Sequence, residues 1–137
     1  MKKQHLFAAL AAITIVLAVG PAYAQTNPVA AQVPFDFVVG ATQFPAGEYT
    51  IQRNGLSSDA LVIRGKGHSP MFFLANATMS NQPAKRSKLV FRKYGSRYFL
   101  HEIWIEGNNR GRALPTTKVD RELARSGAPD SIEVALK

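Results

Sequence analysis

Cysteine is absent from this chain of 137 residues. Its absence excludes disulfide bonds, thiol catalysis, iron–sulfur clusters and every zinc site that needs thiolates. Histidine is scarce too: His68 and His101, the two that follow residue 24, are isolated and form no H-x-x-x-H or H-E-x-x-H motif. The sequence therefore predicts no metal and no cofactor, so stability should come from packing and backbone hydrogen bonds.

Local signatures of catalysis are also missing. The chain has no G-x-S-x-G, no S-x-x-K and no glycine-rich phosphate loop between a strand and a helix. An enzyme is therefore not expected, although a hydrolase with a site assembled in space around His101 and Glu102 stays a second alternative. The hairpin register predicted below places these two side chains on opposite faces, which argues against that alternative.

The N-terminus has the three parts of a secretory signal. Lys2 and Lys3 precede an uncharged, almost wholly apolar run over 6–19, and small residues lead up to Ala24. At 14 residues the run is short of the roughly 20 that span a bilayer, which disfavours the alternative of an uncleaved anchor. Residues 1–24 are thus predicted to be removed between Ala24 and Gln25, and the mature chain is predicted to be periplasmic or extracellular and not to span a membrane.

The chain that remains has 113 residues and a formal charge of +6, because the signal takes two of the 17 basic residues and none of the 9 acidic ones. Residues 25–32 have no periodicity and are predicted to be a flexible lead-in. Residues 33–137 are predicted to form a single β-rich domain, since one domain is usual at this length.

Short runs of alternating apolar and polar residues predict about seven strands. They cover 33–39, 48–53, 60–64, 71–79, 88–94, 97–106 and 131–136, with a basic, turn-rich stretch at 107–112. One short helix is predicted to begin after Thr116 or Thr117 and to end at Gly127. The fold class is accordingly all-β, an antiparallel small barrel or a sandwich.

The best-defined unit is a hairpin around Gly95-Ser96, a pair that suits a type II′ turn. The expected partners across it are Tyr94 with Arg97, Phe91 with Leu100 and Leu89 with Glu102. In this register Tyr98 and Trp104 share one face, and we expect them to line a barrel mouth and stack on a ligand. The aromatic residues of the strands, Phe72 included, are otherwise expected in the core.

Four segments resemble landmarks of a family of small exported bacterial proteins. They are Val33–Phe37 (VPFDF), Pro45–Ile51 (PAGEYTI), Lys88–Gly95 (KLVFRKYG) and Tyr98–Leu100 (YFL). The resemblance covers most of the mature chain. It implies export and a compact β-rich domain, and it implies no activity and no site residues.

Six basic residues with no acid between them are the main compositional anomaly: Lys85, Arg86, Lys88, Arg92, Lys93 and Arg97. They predict a surface that binds anions, or alternatively a solvated edge whose cations prevent strand-to-strand aggregation. Export argues against nucleic acid as the partner. The prediction is a non-catalytic exported binding module for an apolar or anionic envelope component, a lipid, a glycan or a protein. The alternative is a structural or assembly protein acting through a sheet edge or hairpin face, with its oligomeric state left open.

Overall fold

The computed structural model describes residues 28–55 and 59–137. The predicted signal and its cleavage site, Ala24 and Gln25, lie outside these residues. The strands are β1 (Val29–Val33), β2 (Phe37–Val39), β3 (Thr42–Phe44), β4 (Gly47–Arg53), β5 (Ala60–Gly65), β6 (Met71–Leu74), β7 (Asn76–Met79), β8 (Lys88–Tyr94), β9 (Arg97–Trp104), β10 (Arg110–Ala113) and β11 (Asp130–Ala135). The helix α1 (Lys118–Ser126) lies between β10 and β11.

The strands form two sheets in a sandwich-like arrangement and not a closed barrel. The first sheet has the order β1-β4-β5-β6, and all its pairs are antiparallel. The second sheet has the order β11-β8-β9-β10-β7, with the β2–β3 hairpin attached to β9 through a parallel contact. At one side the two sheets meet, because Ala31 of β1 forms a bridge with Leu136. The all-β prediction is confirmed, with the sandwich as the form that it takes.

The core lies between the inner faces of the two sheets, and alternate residues of β1, β2 and β4 are buried in it. Phe37 is at its centre and packs edge-on against Tyr49 at 5.1 Å and Phe91 at 5.5 Å between ring centroids. These arrangements are the ones that aromatic quadrupoles favour. The expectation that strand aromatics are buried fails at Phe72, whose surface is 63% exposed.

Four of the predicted boundaries are wrong because pairing over long sequence distances decides them. The strand predicted over 33–39 is not continuous, because β1 ends at Val33 and β2 begins at Phe37. The lead-in is ordered from Val29, since β1 pairs along its whole length with β4. The run predicted as one strand over 71–79 is two, β6 in the first sheet and β7 in the second, with Ala75 fully buried where the chain crosses between them. The basic stretch at 107–112 contributes β10, which lies between β9 and β7.

The β8–β9 hairpin keeps its predicted register only near the turn. Tyr94 pairs with Arg97 and Phe91 with Leu100 as expected, and Gly95 has the positive φ of 61° that the turn requires. Beyond that point a β-bulge adds His101 to β9, and Leu89 lies opposite Ile103 instead of Glu102. A bulge moves the following side chains to the other face of the sheet. Ile103 therefore enters the core, and Trp104 leaves it for the outer face.

The helix begins as its sequence predicts. Thr117 is the N-cap, and its Oγ1 accepts a hydrogen bond from the Asp120 backbone N–H at 3.2 Å. The helix follows β10 and leads into β11, and its Asp120 carboxylate reaches Arg92 on β8. It thereby covers part of the outer face of the second sheet and leaves the rest of that face open.

Candidate binding groove

A groove of about 730 Å³ lies on the outer face of the second sheet. Three adjacent strands supply its floor, because Glu133 of β11 pairs with Val90 of β8, and Val90 pairs with Glu102 of β9. The next row along the strands adds Lys88 beside Trp104. We call this cavity the basic groove; its lining is Ser80, Gln82, Pro83, Ala84, Lys85, Arg86, Lys88, Val90, Glu102, Trp104, Ser131 and Glu133.

The loop over 80–87 forms one wall of the basic groove. Backbone hydrogen bonds fix it to the turn after β9: Ser80 N–H donates to the Asn109 carbonyl at 2.8 Å and Ala84 N–H to the Asn108 carbonyl at 2.9 Å. Ser87 extends the attachment, since its Oγ accepts from the Glu106 N–H at 2.9 Å. The wall that carries Lys85 and Arg86 is therefore held to the sheet by its backbone.

Glu133 organises two of the three cations in the basic groove. Its carboxylate accepts hydrogen bonds from Lys88 Nζ and from Arg86 at 3.1 Å. These two donors, Lys88 first and Arg86 second, lower the pKa of Glu133 below its ordinary value, so it is ionised at neutral pH. Lys85 is exposed on the same wall, and the structure gives its ammonium no ion pair within the described residues. Lys85 is thus the cation best placed for a ligand.

Trp104 forms part of the apolar floor and is held rigidly. Its surface is 8% exposed, and its Nε1–H donates to Glu102 Oε2 at 2.7 Å. The indole lies against the backbone of Gly111 on β10 so closely that a Cβ at that position would be 2.7 Å from Cδ2 and Cε3. Position 111 therefore has to be glycine for the ring to lie there. One edge of the ring is what remains for a ligand.

His101 lies outside the basic groove, under the helix. Its Nε2 is 2.9 Å from the Arg92 guanidinium, which can only donate, and 3.3 Å from Glu102 Oε1. Burial, followed by the nearby charge of Arg92, lowers the pKa of His101. The neutral ring accordingly accepts from Arg92, which also reaches the buried carboxylate of Asp120 at 3.4 Å.

The prediction that His101 and Glu102 face opposite ways is wrong, because the bulge puts them on one face. Their proximity does not by itself provide a general base that is directed at the basic groove. The Nε2 lone pair of His101 accepts from Arg92, and one oxygen of the Glu102 carboxylate, Oε2, accepts from Trp104. Within the described residues, no group of three or more His, Asp or Glu side chains is arranged to hold a metal ion.

The six predicted anion-binding residues do not form one surface. Lys85, Arg86 and Lys88 line the basic groove, whereas Arg92 is engaged by the helix. The remaining two, Lys93 and Arg97, lie on opposite sides of the sheet. Lys93 pairs with Tyr98 and shares its side, whereas Arg97 is next to Tyr98 along β9 and faces the other side. Lys93 lies over the Tyr98 ring at 5.6 Å, and Arg97 lies over Phe99 at 5.2 Å near the hairpin turn.

The predicted stacking pair is divided in the same way. Tyr98 is on the inner side of the sheet, where its ring stacks on Phe35 with centroids 3.8 Å apart. Trp104 is on the outer side, in the basic groove. The two rings therefore cannot stack on one ligand together, and the bulge at His101 is the reason.

Sequence reasoning missed the part of the groove floor that β11 forms. The sequence predicts a strand over 131–136 that includes Ser131 and Glu133, and it does not identify the strand beside it. Their alternation with Ile132 and Val134 shows which side of β11 is polar. It does not show that β11 pairs with β8, some 40 positions earlier in the chain, and it is this pairing that brings Glu133 to Lys88.

Comparisons of this chain with protein families, curated proteins and solved structures found no match. In the described residues, no helix has both the length and the apolar character needed to cross a membrane.

Proposed function

We propose that this protein is an exported, non-catalytic binding module whose ligand is an anionic component of the cell envelope. The basic groove is the observation that carries the proposal. Three cations, Lys85 and Arg86 of the loop and Lys88 of β8, converge there on a floor that is partly apolar. Export is the companion proposal, and its support is the N-terminal pattern of lysines, apolar run and small residues.

Among anionic envelope components, an acidic glycan fits the groove better than a membrane surface. The lining combines the three cations with several other hydrogen-bonding side chains, Ser80, Gln82 and Ser131 among them. Sugar hydroxyls need such partners, while Val90 and the edge of Trp104 suit the apolar face of a sugar ring. The site is also concave, and a flat bilayer makes poor contact with a concave surface.

Charge in the groove favours a ligand of modest negative charge. The three cations are offset by two carboxylates, Glu102 and Glu133, which leaves a net charge of +1 along the lining (three minus two). Glu133 holds Arg86 and Lys88 in place, so the free charge of the site resides largely on Lys85. Binding should weaken as salt is added, because exposed charges are screened over about 8 Å at physiological ionic strength.

The experiment measures binding of an acidic polysaccharide, such as polygalacturonate, with neutral amylose as the comparison. Trp104 is the chain's single tryptophan and lines the groove, so its fluorescence reports binding at the site itself. We expect the protein to bind the acidic polysaccharide and not amylose. Lys85→Glu should raise the dissociation constant for the acidic polysaccharide at least tenfold, which corresponds to about 1.4 kcal/mol.

Two matched charge reversals serve as controls. Lys66→Glu changes an exposed residue in the turn after β5, and Arg97→Glu changes a cation of the β8–β9 hairpin outside the basic groove. Both should bind nearly as the unaltered protein does. Equal weakening by all three reversals would mean that overall charge drives binding and would overturn the proposed site. Binding to anionic lipid vesicles, without binding to the acidic polysaccharide, would refute the glycan as the ligand and indicate a lipid headgroup.

A further inference from the structure

The edge strand β6 is apolar and open. It carries the sequence Met-Phe-Phe-Leu with no charge, and within the described residues it pairs with β5 alone. Phe72 and Leu74 project from its outer face with 63% and 64% of their surface exposed. Natural proteins usually protect an edge with charges, bulges or a covering segment, because unpaired backbone groups recruit another strand. β6 carries no charge and has no bulge, and its shortness, at four residues, is the one protective feature that it shows.

The backbone of β6 shows which groups are available. Ala75 N–H donates to the Asp59 carbonyl at 2.9 Å, so these two residues form a hydrogen-bonded pair of the antiparallel ladder. Such pairs alternate along a ladder. With Phe73 opposite Leu61 and Phe72 opposite Val62, the peptide groups of Phe73 face β5. Those of Phe72 and Leu74 point away from β5, toward the open edge.

This pattern is its own complement, and we propose that β6 pairs with β6 of a second copy of the chain. A two-fold axis normal to the sheet through Phe73 brings Phe72 of one copy opposite Leu74 of the other. Both residues offer outward N–H and C=O groups, so the two symmetric pairs form four hydrogen bonds. In this register the outer faces of the two copies lie on the same side of the sheet. The first sheet then continues across the dimer as eight strands.

Side chains favour this register as well. Phe72 and Leu74 become cross-strand neighbours on the outer face, and each gains an apolar partner in place of water. No like charges meet across the seam, because β6 has none. At the opposite end of the first sheet, the edge strand β1 is already bridged to Leu136. A seam of four residues per strand is small against a standard interface of about 1,600 Å², so we expect a dissociation constant in the micromolar range.

Disulfide trapping tests the register directly, because the chain has no cysteine and a single introduced one can link only two copies. In the proposed dimer Phe73 faces its symmetry mate in a non-hydrogen-bonded pair about 4.5 Å apart between Cα atoms, within disulfide range. We expect Phe73→Cys to form a covalent dimer under mild oxidation. Phe72→Cys is the matched control, since the same register separates its two copies by about 8 Å. Equal linking of both variants, or of neither, would overturn the register.

Sedimentation equilibrium of the cysteine-free protein gives a second, independent measurement. We expect a reversible dimer, and Leu74→Lys to raise its dissociation constant at least tenfold. Met79→Lys, at a similarly exposed apolar residue on β7, should leave it unchanged. A monomer up to about 1 mM, or a dimer insensitive to Leu74→Lys, would refute self-pairing through β6. None of these residues lines the basic groove, so this proposal and the proposed function can fail separately.

Discussion

The close contact between Trp104 and Gly111 allows a quantitative prediction. In Gly111→Ala the new Cβ would lie 2.7 Å from two indole atoms and 2.9 Å from a third. The ring cannot simply turn aside, because its surface is 8% exposed and its Nε1–H is bonded to Glu102. Overpacking of this kind costs about 1–3 kcal/mol. A domain of this size is typically stable by about 5–15 kcal/mol, so the variant should fold and be measurably weaker.

Urea unfolding followed by far-UV circular dichroism measures the loss, and tryptophan emission shows where it arises. Because Trp104 is the chain's single tryptophan, its emission reports the displaced ring directly. Gly127→Ala is the control: nothing lies within 4 Å of its added Cβ, and its φ of 161° is extended backbone that any residue adopts. We expect that control to change stability by no more than about 0.5 kcal/mol.

The packing argument has clear ways to fail. Stability and emission of Gly111→Ala that match the unaltered protein would mean that the ring does not lie against β10. An equal loss in Gly127→Ala would mean that a general effect of replacing glycine, and not contact with Trp104, is responsible. Weaker binding of the acidic polysaccharide should accompany the expected result, because the same ring lines the basic groove.

Three further predictions concern the helix and the titratable groups. Thr117→Ala should lose about 1 kcal/mol of stability, while Thr116→Ala, which removes no cap, should lose less in the same urea titration. Glu133→Gln should cost up to about 1 kcal/mol at neutral pH; since the folded pKa is lowered, the difference from the unaltered protein should vanish as pH falls through that pKa. The pKa of His101 measured by NMR should be lower in the folded protein than in urea. Its contribution to stability is therefore present above the ordinary pKa and declines as pH falls. A folded pKa equal to or above the value in urea would contradict the burial of His101 beside Arg92.

Features governed by neighbouring residues could be predicted from the sequence. Alternation identified most of the strands, because the side chains of a strand face two sides in turn. The Gly95-Ser96 turn and the Thr117 cap were predictable for the same reason, since each depends on a few adjacent residues. Three of the six basic residues were also assigned to a common surface that they do share, the basic groove.

The bulge at His101 shows why the rest could not be predicted. One unpaired residue in β9 leaves the pattern of apolar residues almost unchanged. It nevertheless moves Trp104 to the outer face and separates it from Tyr98 on the inner one. Whether a strand bulges depends on which side chains the opposite sheet can accommodate, and that is a property of the whole core.

By itself, the sequence determined the all-β class, the capped helix, the hairpin turn and the run of basic residues between Lys85 and Arg97. Each of these depends on backbone preference or side-chain chemistry, which are local. Tertiary structure decided the rest: that β11 pairs with β8 and brings Glu133 to Arg86 and Lys88, and that the run over 71–79 divides between two sheets and leaves β6 as an open edge. The physical reason is that these features depend on pairing and burial between segments far apart in the chain. Local alternation states only which residues share a side of a strand, never which strand lies beside it.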